Sequence, residues 1–113
     1  MANTFKLKTK NAIGTGSATV YTVPGSTTTV MIGCSIANRT INAIQGSVLI
    51  SSDTSDTESN EDVYIVRNAP IPAGSSLEVM SGNKVVLQTT DIVKINSDTS
   101  GSLDASVSIM EIS

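Results

Sequence analysis

The side chains that most often carry out acid–base and nucleophilic chemistry are scarce in this sequence. None of its 113 residues is a histidine, so a Ser-His-Asp triad or a Cys-His pair cannot be built. The commonest metal ligand is missing for the same reason. The single cysteine, Cys34, lies within an alternating apolar segment. This position predicts a buried, unreactive thiol, and one cysteine excludes an intrachain disulfide.

Carboxylates are the remaining acid–base groups. A carboxylate pair can hydrolyse a glycosidic bond where an apolar cleft raises one of the two pKa values. About half of the 10 carboxylates cluster in the polar stretch 53–62, which offers no such cleft. The only aromatic residues are Phe5, Tyr21 and Tyr64, too few for the stacking platforms typical of sugar sites. We therefore expect a non-enzymatic protein with no catalytic site.

The same acidic stretch, residues 53–62, contains the oxygen atoms that calcium prefers. It lacks glycine and the alternate-residue spacing of an EF-hand loop, which favours a solvated hairpin tip. Gly14-Thr15-Gly16 is not placed between a strand and a helix, so it predicts a turn rather than a phosphate loop. Asn38-Arg39-Thr40 matches a glycosylation sequon, which is glycosylated only in a protein that enters the secretory pathway. We expect no metal and no cofactor.

Charge and termini narrow the possible partners. The net charge is −3, and the few cations are dispersed, so no basic face for nucleic acid is expected. No apolar run approaches the roughly 20 residues that span a bilayer. The first residues, Met1-Ala2-Asn3-Thr4, have neither the basic nor the apolar region of a secretory signal. We expect synthesis and assembly in a cytoplasm.

Apolar residues recur at spacing two, and turn residues interrupt them about every ten positions, which is typical of a sandwich or barrel. Val30, Ile32, Cys34 and Ile36 are predicted to share one face of their strand. Residues 68–74 are predicted to be a Pro/Gly connection, and Ser81-Gly82-Asn83 a hairpin turn. The predicted strands are 4–10, 18–23, 28–38, 44–51, 63–67, 76–80, 84–88, 91–96 and a last one from 103 to near the end.

These segments predict one all-β domain over residues 1–113, an antiparallel β-sandwich of about eight or nine strands. Both a jelly-roll and an immunoglobulin-like topology fit the pattern. In the first strand, Phe5 and Leu7 point one way and the lysines the other. Three lysines on a short strand are typical of an edge that is protected against stray pairing. We expect Phe5, Lys6, Lys8 and Lys10 to form an assembly contact.

Several short motifs resemble small structural proteins of tailed bacteriophages, especially marine and cyanobacterial phages. They are the step Tyr21-Thr22-Val23-Pro24-Gly25, the run Ala69-Pro70-Ile71-Pro72-Ala73-Gly74-Ser75-Ser76-Leu77, and the strand Lys84-Val85-Val86-Leu87-Gln88. The resemblance covers roughly residue 20 to the C-terminus. It implies a virion protein that decorates the capsid or attaches to the tail, and because the motifs are architectural it carries over no functional residue.

Two functions remain open at this point. The first is a capsid decoration or cement protein, which would contact copies of itself and the major capsid protein or tail proteins; a trimer is the expected oligomer. The second is a tail, neck or fibre component, including a receptor- or carbohydrate-binding module. With either function, we expect residues 1–10 to pair as an added strand with the sheet edge of a neighbouring protein. Deleting residues 1–8 is then expected to abolish particle binding while leaving a folded domain.

Overall fold

A computed structural model describes residues 3–55, 58–80 and 82–113. These residues form nine strands in two antiparallel sheets, which confirms the all-β sandwich prediction, and no helix that could span a membrane occurs among them. The strands are β1 (Asn3–Ile13), β2 (Ala18–Thr22), β3 (Thr28–Asn38), β4 (Ile44–Ser51), β5 (Val63–Ile71), β6 (Ser76–Glu78), β7 (Val85–Leu87), β8 (Ile92–Ser97) and β9 (Leu103–Ile112).

The pairing of the strands defines a jelly roll. The chain forms a long antiparallel ribbon in which β1 pairs with β9, β2 with β8, β3 with β6 and β7, and β4 with β5. The ribbon is wound so that β9 also pairs with β3 and β8 with β4. The resulting five-stranded sheet has the order β1-β9-β3-β6, with β7 also on β3, and faces a four-stranded sheet ordered β2-β8-β4-β5. This winding selects the jelly roll over the immunoglobulin-like alternative.

The predicted hairpin around residues 81–83 is wrong. Strands β6 and β7 do not pair with each other but follow one another along β3, opposite residues 35–37 and 29–31. Between them, Val79 N donates to Cys34 O at 2.8 Å. The two short strands act as one interrupted edge strand, because the long strand β3 offers both of them backbone partners. Ser81 lies outside the described residues.

The boundary of β5 also differs from the expectation of a connection over residues 68–74. The strand continues to Ile71, which is fully buried. Asn68 interrupts the strand with a left-handed φ of 53°, and its N–H donates to Ser47 Oγ at 2.8 Å. Pro70, which has no backbone N–H to donate, is tolerated because β5 is an edge strand and one of its sides needs no ladder hydrogen bond.

A β-bulge changes the predicted faces of β3. The register with β9 shifts between Met31 and Gly33, so Met31, Cys34 and Ile36 are buried. Val30 and Ile32 are only half-buried and lie outside the core, contrary to the prediction that they share a face with Cys34. One extra residue reverses the alternation on one side of the bulge, which a strict period of two cannot reproduce.

The core lies between the two sheets and consists mainly of aliphatic side chains. The inward positions on β4, β8 and β9 alternate along each strand, and they are Ile44, Val48, Ile50, Val93, Ile95, Leu103, Ala105, Val107 and Ile109, all of which are buried. Gly46 on β4 leaves room for two of the core residues. A Cβ at this position would lie 2.9 Å from Ile36 Cδ1 and 3.1 Å from Ile71 Cδ1.

Candidate assembly interface

Strand β1 turns its lysines toward the inner side of the sheet and its large apolar residues outward. Lys6 is paired with Ile109, and Lys8 with Val107, and both partners are core residues. Side chains of directly paired residues project from the same face of a sheet. Phe5 and Leu7 therefore lie on the outer face, where they are 72% and 65% exposed. The predicted alternation is confirmed, and the structure adds its direction.

A polar network holds Lys6 in this orientation. Lys6 Nζ lies 2.7 Å from Glu111 Oε1, and the Tyr21 hydroxyl donates to Glu111 Oε2 at 2.6 Å. The same hydroxyl is 2.8 Å from Thr29 Oγ1. Tyr21 comes from the opposite sheet, so the network joins the two sheets beneath β1. Because Tyr21, Thr29 and Glu111 are buried, these hydrogen bonds satisfy groups that water cannot reach.

The pKa values in the network follow from these contacts. The hydrogen bonds from Lys6 and then Tyr21 lower the pKa of Glu111 below its ordinary value. Burial, followed by the hydrogen bond to Glu111, raises the pKa of Tyr21 to about 12. Glu111 therefore remains ionised and Tyr21 remains neutral across the physiological pH range. The network acts as a fixed support for β1 at neutral pH.

The other two lysines of the predicted contact have different surroundings. Lys8 Nζ lies over the Tyr21 ring, 5.9 Å from its centroid. Lys10 is paired with Ala105 and exposed. A register shift after Lys10 then allows Ile13 to enter the core. The structure thus separates the four predicted contact residues into an outward Phe5 and three lysines on the inner side.

An uncharged row of apolar side chains crosses the outer face of the five-stranded sheet. Phe5 of β1 pairs with Met110 of β9, Met110 with Val30 of β3, and Val30 with Val86 of β7. Val86 is 63% exposed, and Met110 and Val30 are half-buried without packing against the core. We call these four residues the apolar row. Leu7 and Ile112 adjoin it on β1 and β9, and together the six residues form the outer patch.

The other half of the same face is polar. Thr9 pairs with Ser106, Ser106 with Ser35, and Ser35 with Glu78, which forms a second row across β1, β9, β3 and β6. Glu78 Oε1 accepts from Cys34 N at 3.1 Å and so remains within the sheet. The outer face is therefore divided into an apolar half and a hydroxyl-rich half.

The aromatic rings occupy three separate places. Phe5 lies on the outer face of the five-stranded sheet, Tyr21 is buried between the sheets, and Tyr64 is 48% exposed on β5 of the other sheet. Arg67 lies over the Tyr64 ring, 5.2 Å from its centroid. The three rings therefore do not form a common platform for a sugar.

The acidic stretch 53–62 is attached to the ends of β4 and β5. Asp62 Oδ1 accepts from Ser52 N at 2.9 Å, and Asn60 N donates to Thr54 O at 2.8 Å. Asp56 lies outside the described residues. Among the described residues, no group of three or more acidic or cysteine side chains is arranged to hold a metal ion.

A groove of about 450 Å³ lies beside this stretch, between the edge strands β5 and β7. Val63, Ile65 and Val86 give it an apolar wall, and Glu61 and Asp91 lie among its polar lining. Asp91 accepts from Ser52 Oγ at 2.6 Å and from Gln88 N at 2.9 Å, so its carboxylate is already used within the chain. Val86 belongs to both the groove and the apolar row, which makes the two surfaces continuous.

Two further sequence predictions concern single residues. Cys34 is 1% exposed, as predicted, and burial, followed by the nearby Glu78, raises the pKa of its thiol to about 12. Asn38 of the sequon is buried, and its Nδ2 donates to Asn42 O at 2.7 Å and to Ile71 O at 3.1 Å. This amide is part of the fold and is not available to carry a glycan.

Comparisons with known proteins relate the fold to that of a viral chain. The structure of the Gx strain of infectious bursal disease virus contains a chain that matches with a TM-score of 0.50 and 16% identity. The match covers 96% of this chain and 33% of that chain, so this chain spans about a third of its length. At this identity the likeness shows the fold. No family model and no curated protein matches the sequence.

Proposed function

We propose that this chain is a non-enzymatic structural component of a virus particle that acts by binding other proteins. The observation that carries the proposal is the apolar row, four uncharged residues in register on four neighbouring strands of an outer face. The largest apolar patch on a typical soluble protein, roughly 300–600 Å², is often a functional site, and such patches mark protein interfaces. The similarity of the jelly roll to part of a viral chain supports the same function.

Within this class, the motif resemblance favours a bacteriophage capsid decoration or cement protein located in the virion. Its partners are copies of itself and the major capsid protein or tail proteins. The outer patch supplies the contact, and the fixed lysine network keeps β1 in the orientation that exposes Phe5 and Leu7. Weak individual contacts suffice in such a role, because many copies act together on one symmetric particle.

The alternative of a tail, neck or fibre module uses the same surface with a different partner. A carbohydrate-binding module draws less support, because Phe5, Tyr21 and Tyr64 lie on three different parts of the molecule. The experiment below distinguishes a head position from a tail position.

Particle composition tests the proposal directly. Virions are purified on a density gradient, separated into heads and tails, and analysed by quantitative mass spectrometry with isotope-labelled peptides of this chain. We expect a fixed ratio to the main shell protein, with the chain in the head fraction. Recovery with the tails would favour the alternative position, and absence from purified particles would contradict the proposed function.

Point variants test the contact better than deletion of residues 1–8. That deletion would remove Lys6 from Glu111 and expose the edge of β9, so loss of binding could reflect damage to the fold. Replacing Phe5 and Leu7 by serine removes the apolar contact and keeps the strand. We expect this variant to lose particle binding, whereas the control Tyr64→Ser on the other sheet should bind normally.

A further inference from the structure

We propose that a second copy of this chain covers the outer patch, packed face to face about a two-fold axis that runs along the apolar row. This inference rests on the proposed function and identifies the partner of the same surface. In this arrangement the strands of the two copies run in opposite directions. Phe5 then lies opposite Phe5 of the other copy, and Val86 opposite its counterpart.

The exposed area of the patch is sufficient for a weak, reversible pair. Phe5, Leu7 and Val86 are 72%, 65% and 63% exposed, and the other three residues are half-buried. Taking about 150–200 Å² for a fully exposed large side chain, the patch exposes on the order of 450 Å². Two patches bury roughly 900 Å² of apolar surface, which lies in the range of weak, reversible interfaces, below about 1,200 Å².

Charge favours this orientation of the two copies. The outer patch has no charged side chain, so two patches meet without burying an unpaired charge. The acidic stretch lies at the end of the sandwich that carries the outer patch. Thr54 and Ser55 are near Thr28, and Thr28 pairs with Ile112 of the patch. Opposed strand directions about an axis on the apolar row place the two acidic stretches on opposite sides of that row. Parallel strands would bring them side by side in two chains that each carry a net charge of −3.

The shape of the surface favours a pair over the trimer expected from the sequence. The apolar row spans four neighbouring strands, a width of about 14 Å at the usual strand spacing. Two sheet faces can pack along this whole width, as the two sheets of a sandwich do. A three-fold set would share each face between two neighbours and leave part of the row in water.

The first test is the mass of the protein in solution, measured by sedimentation equilibrium over a wide concentration range. We expect a reversible increase from 11.7 kDa toward twice that mass. Phe5→Ser and Val86→Ser should each weaken association about tenfold or more, since each removes strongly exposed apolar surface from both copies of the pair. The controls Thr9→Ser on the hydroxyl row and Tyr64→Ser on the other sheet should associate as the native chain does, and circular dichroism should be the same for all variants.

Crosslinking tests the position of the axis. A cysteine at Val86 would face its own counterpart across the axis, so a short bis-maleimide should join Val86→Cys chains into dimers. Tyr64→Cys serves as the exposed control and should give only background crosslinking. The native Cys34 is 1% exposed and should not react in the folded protein, which the unmodified chain checks.

Each outcome bears on the proposal. A monomer at every concentration up to about 1 mM would overturn it, since a dissociation constant above this value corresponds to less than about 4 kcal/mol of binding. A trimeric mass, or equal crosslinking of Val86→Cys and Tyr64→Cys, would also overturn it. The proposed function fails separately, by absence of the chain from purified particles. A monomer that is nevertheless found in virions would refute only the two-fold pair.

Discussion

Strands β1 and β3 have the same length and the same neighbour but opposite relations to the core. Each contains 11 residues, and they pair with the two sides of β9. On β3 the large apolar residues Met31 and Ile36 are buried. On β1 the apolar residues Phe5 and Leu7 face outward, and Ile13 is its one buried residue.

The difference shows that alternation fixes which residues share a face but not which face is covered. The opposite sheet covers the inner side of β3, whereas most of β1 remains exposed on both sides. Lys6 can therefore occupy the inner side, with its partly exposed ammonium group paired to Glu111. The outward side of β1 is left for Phe5 and Leu7. We interpret β3 as the strand that maintains the fold and β1 as the strand that presents a surface.

The largest expected effect is a difference in stability between side-chain truncations on β3 and on β1. Ile36→Ala should reduce the free energy of unfolding by about 2–5 kcal/mol, because it leaves a cavity at a fully buried site. Leu7→Ala should change it by less than about 0.5 kcal/mol, because this side chain is already in water. Urea denaturation measures both. Similar losses for the two variants would contradict the assigned roles of the strands.

A second prediction concerns the close contact between Gly46 and β3. Gly46→Ala should destabilise the protein by about 1–3 kcal/mol, because the new methyl group would lie 2.9 Å from Ile36 Cδ1. Ile36→Val removes that carbon atom. The double variant should therefore be more stable than the sum of the two single effects predicts, as a double-mutant cycle in urea would show. Additive effects would mean that the crowding arises elsewhere.

The polar network beneath β1 should contribute less to the free energy of unfolding than the core does. Tyr21→Phe should cost about 1–2 kcal/mol, because Glu111 Oε2 and the buried Thr29 hydroxyl lose their shared partner. Since the pKa of Tyr21 is raised from 10.0 to about 12, its contribution is complete below pH 10 and is lost as the pH rises toward 12. The difference between the native chain and Tyr21→Phe should shrink over that range, as urea denaturation at several pH values would measure. A constant difference would contradict this assignment.

The smallest expected effect concerns the ion pair that orients β1. Lys6→Met should cost less than about 1 kcal/mol at neutral pH, since the lysine side chain is 41% exposed and solvent weakens the pair. The pKa of Glu111 is lowered, so the stabilisation is present above the ordinary glutamate value of 4.5 and is lost as the pH falls through the lowered value. The difference from the native chain should therefore disappear in acid.

Lys10→Met is the matched control for this measurement. It lies on the same strand and the same side of the sheet, and the described residues provide it with no ion pair. Its unfolding free energy should follow that of the native chain at each pH. An equal, pH-independent effect of the two substitutions would show that the Lys6–Glu111 pair does not stabilise the fold.

The sequence by itself determined the class of fold and most strand positions. Period-two alternation predicted the bounds of β3 and β4, because side chains of a covered strand must alternate between core and solvent. It also predicted a buried Cys34 and an unusual, lysine-bearing edge at β1. These features depend on local residue types and spacing, which a single sequence contains.

Only the tertiary structure decided which strands pair and which faces are covered. The bulge after Met31, the succession of β6 and β7 along β3, and the continuation of β5 to Ile71 depend on partners distant in sequence. The apolar row could not be predicted from the sequence for the same reason. Its members, Phe5, Val30, Val86 and Met110, come from four separate strands, and only the winding of the jelly roll brings them into register on one outer face.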